Sequence, residues 1–321
     1  MPKKPGLIAA VAALFCLAGA LPAGASTEPH GTPDNGPIAF GRANPQLGGS
    51  AKSLWVARAD GSHQQQLTRD ETGFSDWSPD GRRIAFDFVS DTGVHIATMS
   101  PEGKGRRSLT SAPGVQEGPK WSPDGRLIAY DAFAAGQDPF AVSIWVMRSD
   151  GTDPHELTQG FIDVEPVFSP DGTRIAFGRI TGDSPEGQLE AVNVVNVDGT
   201  GLHEILAPRA GLEHPDWSPD GRLISFNIAP ESGSAPDSGA ILAVRPDGTG
   251  LKVVRPPSDG LRFFKPVWSP DGRQLLTGCF DTKIRKDRIC TISDQGKGKI
   301  RVVIAGDADV NLPSWGARRS G

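Results

Sequence analysis

An aromatic residue followed by Ser-Pro-Asp-Gly occurs five times in this chain of 321 residues, beginning at Trp77, Trp121, Phe168, Trp217 and Trp268. An eroded sixth copy, Pro313-Ser314-Trp315-Gly316, places a last aromatic at Trp315. The steps between successive aromatics are 44, 47, 49, 51 and 47 residues. A period in that range describes an array of equivalent supersecondary units that must stack to bury a core. It outweighs the two-domain organisation that length alone would suggest.

Each unit reads as four short strands. After each Asp-Gly comes a β-forming run, as in Arg83-Ile84-Ala85-Phe86 and Arg174-Ile175-Ala176-Phe177. A loop of variable length leads to a second run such as Ile144-Trp145-Val146. An Asp-Gly turn such as Asp150-Gly151 and a weaker run such as Glu156-Leu157-Thr158 follow. The run into the next aromatic is the fourth. Short strands joined by Asp-Gly turns predict an antiparallel meander. In Ser-Pro-Asp-Gly, Pro presets φ at about −65°, Asp bonds the local backbone and Gly accepts positive φ, so the segment closes a tight hairpin. The aromatic before it is large enough to fill the wedge between adjacent units.

Four-stranded antiparallel units repeated around an axis make a β-propeller. Pro37 to Gly41 matches the second strand of a repeat with no first strand before it, and Val310 to Trp315 matches a first strand with no second after it. The expectation is an all-β, six-bladed propeller of four-stranded antiparallel blades over residues 37–316. Its ring is closed by the N- and C-terminal strands sharing one blade. Helical periodicity is absent.

The flanks have other roles. Lys3 and Lys4, the apolar run from Leu7 to Leu21 and the small residues Ala23-Gly24-Ala25 form a signal peptide over residues 1–25, cleaved near Ala25. That run is too short to span a bilayer comfortably, and no other segment could. Residues 26–36 read as a flexible linker and 317–321 as a disordered tail. Losing Lys3 and Lys4 takes the net charge from −5 to −7, a poor balance for binding nucleic acid. The expected location is secreted, periplasmic or cell-envelope, as a monomer. Two cysteines survive, Cys279 and Cys290. An even count in an oxidising compartment points to one disulfide, placed opposite across one hairpin; two buried free thiols are the alternative.

The aromatic–Ser-Pro-Asp-Gly segment, then Arg-Ile-Ala-Phe, then Ile-Trp-Val and Asp-Gly, resembles the propeller repeat of the TolB family over nearly all of residues 37–316. TolB of the Tol–Pal envelope system carries an α/β domain ahead of its propeller. Here residues 26–36 alone separate the signal from the first strand, so the expectation is a propeller-only relative. The propeller of that family is a protein-interaction module, so the resemblance implies protein binding.

The Ser-Pro-Asp-Gly and Asp-Gly turns all fall on one face, and the variable loops Asn44–Ser53, Asp131–Ser143, Thr181–Ala191, Ala229–Gly239 and Asp281–Arg288 fall on the other. Loops on a rigid scaffold are the usual carriers of binding. The first strand of each blade lines the axis and starts on the variable face. Counting back four and three residues from each aromatic therefore gives the channel mouth. Those positions hold Glu117, Glu165, Glu213, His214, Lys265 and Asn311, with Phe74 and Leu312 beside them. Glu117, Glu165, Glu213 and Asn311 could offer oxygens to a hard divalent cation, the one candidate cofactor. A water-filled polar channel with Lys265 balancing the acids is the plainer reading.

Recognisable catalytic arrangements are missing. There is no Gly-x-Ser-x-Gly. His155-Glu156 and His203-Glu204 lack the second histidine of a zinc helix, since Gln159 and Ala207 stand four residues on. Asp-Gly-Thr-Gly at 198–201 and 247–250 is a hairpin turn in phase with the repeat. The basic run Lys283, Arg285, Lys286 and Arg288 reads as a solvated loop, and Phe133 and Phe140 give a carbohydrate site only thin support. The leading expectation is an exported, non-catalytic propeller that binds a protein or other macromolecular partner through its variable-loop face and channel mouth. The alternative is a metal-dependent, calcium-type hydrolase or lactonase with its site at that mouth.

Overall fold

The computed structural model describes residues 35–316 apart from 49–50, 135, 137–140, 185–186, 230–236, 259, 294 and 306–309. The expected signal peptide over 1–25, residues 26–34 of the expected linker, Phe140 and the expected tail over 317–321 lie outside the described residues.

The chain is an all-β propeller. β1 (Ile38–Ala43), β2 (Lys52–Ala57) and β3 (Gln65–Gln66) form a meander that β24 (Val310–Trp315) completes on its inner side. β4 (Thr72–Trp77), β5 (Ile84–Ser90), β6 (Gly93–Met99) and β7 (Arg107–Ser108) form a second meander. β8 (Gly114–Trp121), β9 (Leu127–Ala134), β10 (Ser143–Arg148) and β11 (His155–Glu156) form a third. These two share one eight-stranded sheet, because Gly93 and Val94 pair in parallel with Gly114 and Val115. β12 (Ile162–Phe168), β13 (Arg174–Ser184), β14 (Gly187–Asn196) and β15 (His203–Ala210) make a separate sheet. So do β16 (Leu212–Trp217), β17 (Ile224–Ile228), β18 (Ile241–Val244) and β19 (Lys252–Arg255), and then β20 (Leu261–Trp268), β21 (Leu275–Asp281), β22 (Lys286–Ile292) and β23 (Ile300–Ile304). The chain ends clasp: Ile38 pairs with Trp315 and Arg42 with Val310, antiparallel. The inner strands β4, β8, β12, β16, β20 and β24 each touch the next, and β24 touches β4.

The repeat residues do the mechanical work their chemistry allows. In the first turn Ser78 Oγ donates to Asp80 Oδ1 at 2.6 Å and accepts the Arg83 amide at 2.8 Å, while Asp80 Oδ1 accepts the Arg82 amide at 2.9 Å. The Gly81 amide closes on the Ser78 carbonyl with φ of 65°. The same Ser–Asp bond recurs at Ser122, Ser169, Ser218 and Ser269. At Asp171 that bond and the Thr173 amide hold the carboxyl at about 2, below the usual carboxylate range. These turns satisfy themselves and leave little chemistry over.

The aromatics seat each sheet on the one before. Trp77 packs with Leu54 and Val56 of β2, Phe168 with Ile144 and Val146 of β10, and Trp217 with Val192 and Val194 of β14. Trp268 meets Ile241 and Ala243 of β18, and Trp315 meets Leu276 and Ile289 of the sheet before it. Truncating such a wedge to alanine costs about 3–5 kcal/mol.

Three local expectations are corrected. Thr181–Ala191 is no loop, because β13 and β14 continue as a twisted hairpin with Gly182 opposite Leu189 and Asp183 opposite Gln188. Likewise β21 runs to Asp281 and β22 starts at Lys286, so the loop expected over 281–288 shrinks to the four-residue turn 282–285. Cys279 and Cys290 are bonded with Cα atoms 6.0 Å apart, but they are not directly opposite. Cys279 faces Arg288, and Cys290 faces Thr277 as Trp145 faces Tyr130 in an earlier repeat. The pair is diagonal on one face of the hairpin, within reach of a bridge.

Candidate binding site at the channel mouth

Each inner strand breaks its ladder at the predicted mouth positions. The pairing shifts between Thr72 and Ser75, Glu117 and Lys120, Val164 and Val167, Glu213 and Asp216, and Phe264 and Val267. At the break Gly118, Glu165, His214, Lys265 and Leu312 take φ of 62°, 57°, 57°, 47° and 51°. Left-handed geometry costs a non-glycine residue about 1–2 kcal/mol, and such residues persist where the surroundings over-determine them.

What over-determines them is a set of side chains that bind the freed amides. Asp87, on β5, accepts the amides of Gly73 at 2.6 Å, Phe74 at 3.1 Å and Gly118 at 3.2 Å. Asp131, on β9, accepts Glu165 at 3.3 Å, and Asn227, on β17, accepts Lys265 at 2.8 Å. Glu165 itself accepts the His214 amide at 2.6 Å. On β13 the equivalent position is Gly178, and a Cβ there would strike Glu190, whose carboxyl reaches across from β14. Sequence reasoning missed Asp87, Asp131, Asn227 and Glu190. The first three were visible as the residue that follows each Ile-Ala-Phe-type run, which is acidic, amide or glycine in all six copies, including the sixth, where Thr277 replaces the aromatic.

Five of the six predicted mouth residues gather here. His214 Nε2 lies 3.0 Å from Glu165 Oε1, and its Nδ1 lies 3.6 Å from Glu213 Oε2. Glu213 also accepts Asn227 Nδ2 at 3.3 Å. Glu117 lies within electrostatic reach of Asp87, Asp131 and Glu165. Lys265 is 4% exposed, and its Nζ sits 4.7 Å above the Phe74 ring with no hydrogen-bond partner of its own. Asn311 is buried against Gly41 instead, its Oδ1 unpartnered. One residue before the aromatic, Asp76, Lys120, Asp216 and Ser314 form a deeper polar layer interrupted by Val167 and Val267, and in it Lys120 Nζ is 3.6 Å from Asp76. Asp76 accepts the Trp121 amide and Asp216 the Trp268 amide, both at 2.9 Å.

Burial dominates the electrostatics. It raises Glu117 to about 8, helped by Asp87 and Glu165, and Asp87 to about 6 against its amide bonds. Burial, with Glu117 beside it, pushes Asp131 well above the usual range; burial, with Glu165 and Glu213, does the same to Glu190. Burial would also raise Glu165 and lower His214, but their mutual attraction and hydrogen bonds prevail, leaving the carboxylate low and the imidazolium favoured. Burial and then Lys120 lower Lys265 to about 7. Burial thus favours the protonated forms of Glu117, Asp131 and Glu190, Glu165 and His214 form the charged pair, and Lys265 is poised to lose its proton near neutral pH.

The space between Phe74, Gly118, Lys120, Glu165, His214 and Lys265 is about 30 Å³, room for one or two waters or a small ligand group. Among the described residues no group of three or more His, Cys, Asp or Glu is placed to hold a metal ion. Nor is any helix among them long and apolar enough to cross a membrane. The disulfide fits an oxidising compartment.

Comparison with known proteins agrees with the fold. The chain is similar to an uncharacterized protein of Agrobacterium fabrum, 26% identical over 205 residues, which are 61% of this chain and 68% of the relative. It is similar to a TolB homolog of Chlorobium luteolum, 32% identical over 140 residues, 42% of this chain and only 30% of the relative. TolB from Acinetobacter baumannii shares the fold with a TM-score of 0.70 at 19% identity, over 88% of this chain and 66% of that one. The family description "TolB beta propeller domain" matches residues 37–319, and the chain belongs to that family.

Proposed function

We propose that this protein is an exported, monomeric, non-catalytic propeller of six blades that binds a protein partner of the cell envelope through its variable-loop face and channel mouth. The six-blade count treats the eight-stranded sheet as two blades, a reading supported by the two-residue contact that joins its halves and by the six mutually touching inner strands. The observation that carries the binding reading is the contrast between the two ends. At the turn end every Ser-Pro-Asp-Gly segment closes on itself through the same Ser-to-Asp bond and Gly amide. At the mouth, left-handed Glu165, His214 and Lys265 hold polar side chains at the axis, and Lys265 Nζ is left without a partner. Relatedness to TolB supports a protein as the ligand. No cofactor is called for, and Glu117, Glu165, Glu213, His214 and Lys265 are the proposed contact set, with Asn311 left outside it by its burial against Gly41.

Affinity capture from an envelope extract tests this. The mouth variant Glu213→Lys should lose a partner that the wild type and the turn-face variant Arg126→Glu both retain. Retention by Glu213→Lys with loss in Arg126→Glu would move the site to the other end.

A further inference from the structure

We infer that Lys265 is a carbonyl-reactive amine, able to capture a small neutral aldehyde as an imine inside the channel mouth. The placement of its nitrogen carries this. Nζ lies over the face of Phe74 with no hydrogen-bond partner, in a residue 4% exposed, beside a space of about 30 Å³ shared with Glu165 and His214. With no acceptor for its protons the ammonium form is poorly stabilised, and no donor engages the lone pair of the neutral amine. Burial and the neighbouring Lys120 bring it to about 7, so a large fraction is uncharged at neutral pH. A surface lysine, at about 10.4, holds on the order of a thousandfold less free amine.

The chemistry balances with groups at hand. The Lys265 lone pair attacks the carbonyl carbon, the C–N bond forms as the C=O π bond opens, and one N–H proton passes to the oxygen. The His214 imidazolium, favoured by its contact with Glu165, protonates the resulting hydroxyl, which departs as water. The product is an iminium carrying one positive charge, and His214 is left neutral. The charges facing Lys265 suit that product: Asp76 from β4, Asp87 from β5 and Glu165 from β12 attract it, Lys120 from β8 opposes it, and His214 from β16, which also opposes a positive charge there, has by then given up its proton. The same acids repel an anionic carbonyl compound. The ligand class is therefore a small, neutral aldehyde.

The mature protein is incubated with propionaldehyde and sodium cyanoborohydride at pH 7, and alkylated lysines are mapped by mass spectrometry. Lys265 should be labelled at least tenfold faster than any other lysine. Its rate should level off above about pH 7, while the others keep rising towards pH 10. Glyoxylate, an anionic aldehyde, should lose most of that preference. Lys265→Arg should abolish the fast adduct; should that variant fail to fold, the wild-type pH profile decides alone. Labelling of Lys265 no faster than surface lysines, or a rate that climbs with theirs, overturns the proposal. Equal preference for glyoxylate overturns the assigned ligand class.

Discussion

Replacing Glu117 by glutamine should make the protein more stable at alkaline pH and leave it nearly unchanged in acid. Glu117 is raised from 4.5 to about 8. Its folded form binds a proton more tightly than the unfolded chain does. Wild-type stability therefore falls as pH rises from about 4.5 to 8 and stays lowered above that range. A tenfold change in proton affinity is worth about 1.4 kcal/mol, so the full displacement corresponds to about 5 kcal/mol. Asp131 shares the burden, because Glu117 in turn raises it. Glutamine keeps the size and removes the charge, and the expected gain at pH 9 is about 2–4 kcal/mol. For a domain of this size that is a rise in Tm of about 4–8 °C. Thermal unfolding of both proteins at pH 5, 7 and 9 is the assay. A variant that melts at or below the wild type at pH 9 would refute the claim that the carboxyl is buried among other acids.

Other expectations follow from the same geometry. Glu165→Gln should move the titration of His214, followed by NMR, to lower pH. Because a raised histidine contributes stability that disappears as pH rises through its folded value, the loss of about 1–3 kcal/mol should appear at pH 5.5 and fade by pH 9. The double variant Cys279→Ala/Cys290→Ala frees a loop with a sequence separation of 11. It should cost about 3 kcal/mol by loop entropy, seen as a lower denaturation midpoint with the fold retained by circular dichroism. Calcium or manganese in excess should leave Tm unchanged. A rise abolished by Glu117→Gln or Glu213→Gln would favour the hydrolase reading instead.

The repeat made much of this architecture legible. The phase of the aromatics located strand, turn and mouth positions, and the pairing of Ile38 with Trp315 follows from two half-sheets at the chain ends. Contacts that cross between repeats were not legible. Asp87 bonds to Gly118 and Glu165 to His214 because a break in the ladder frees their amides, and period alone does not reveal a bulge. Glu190 enters only because Gly178 leaves a gap for it, a relation between two strands rather than a motif. The extended hairpin at 181–191 was hidden by its low apolar content. Its strands are held by backbone pairing rather than by burial of their tips.

Site-specific photo-crosslinking in the native envelope tests the central claim most directly. A photoreactive residue placed at Thr181 or Leu312, on the mouth side, should yield an adduct with a protein partner, and one at Arg126 or Arg222, on the turn side, should yield none. Adducts from Arg126 or Arg222 with none from Thr181 and Leu312 would contradict the account.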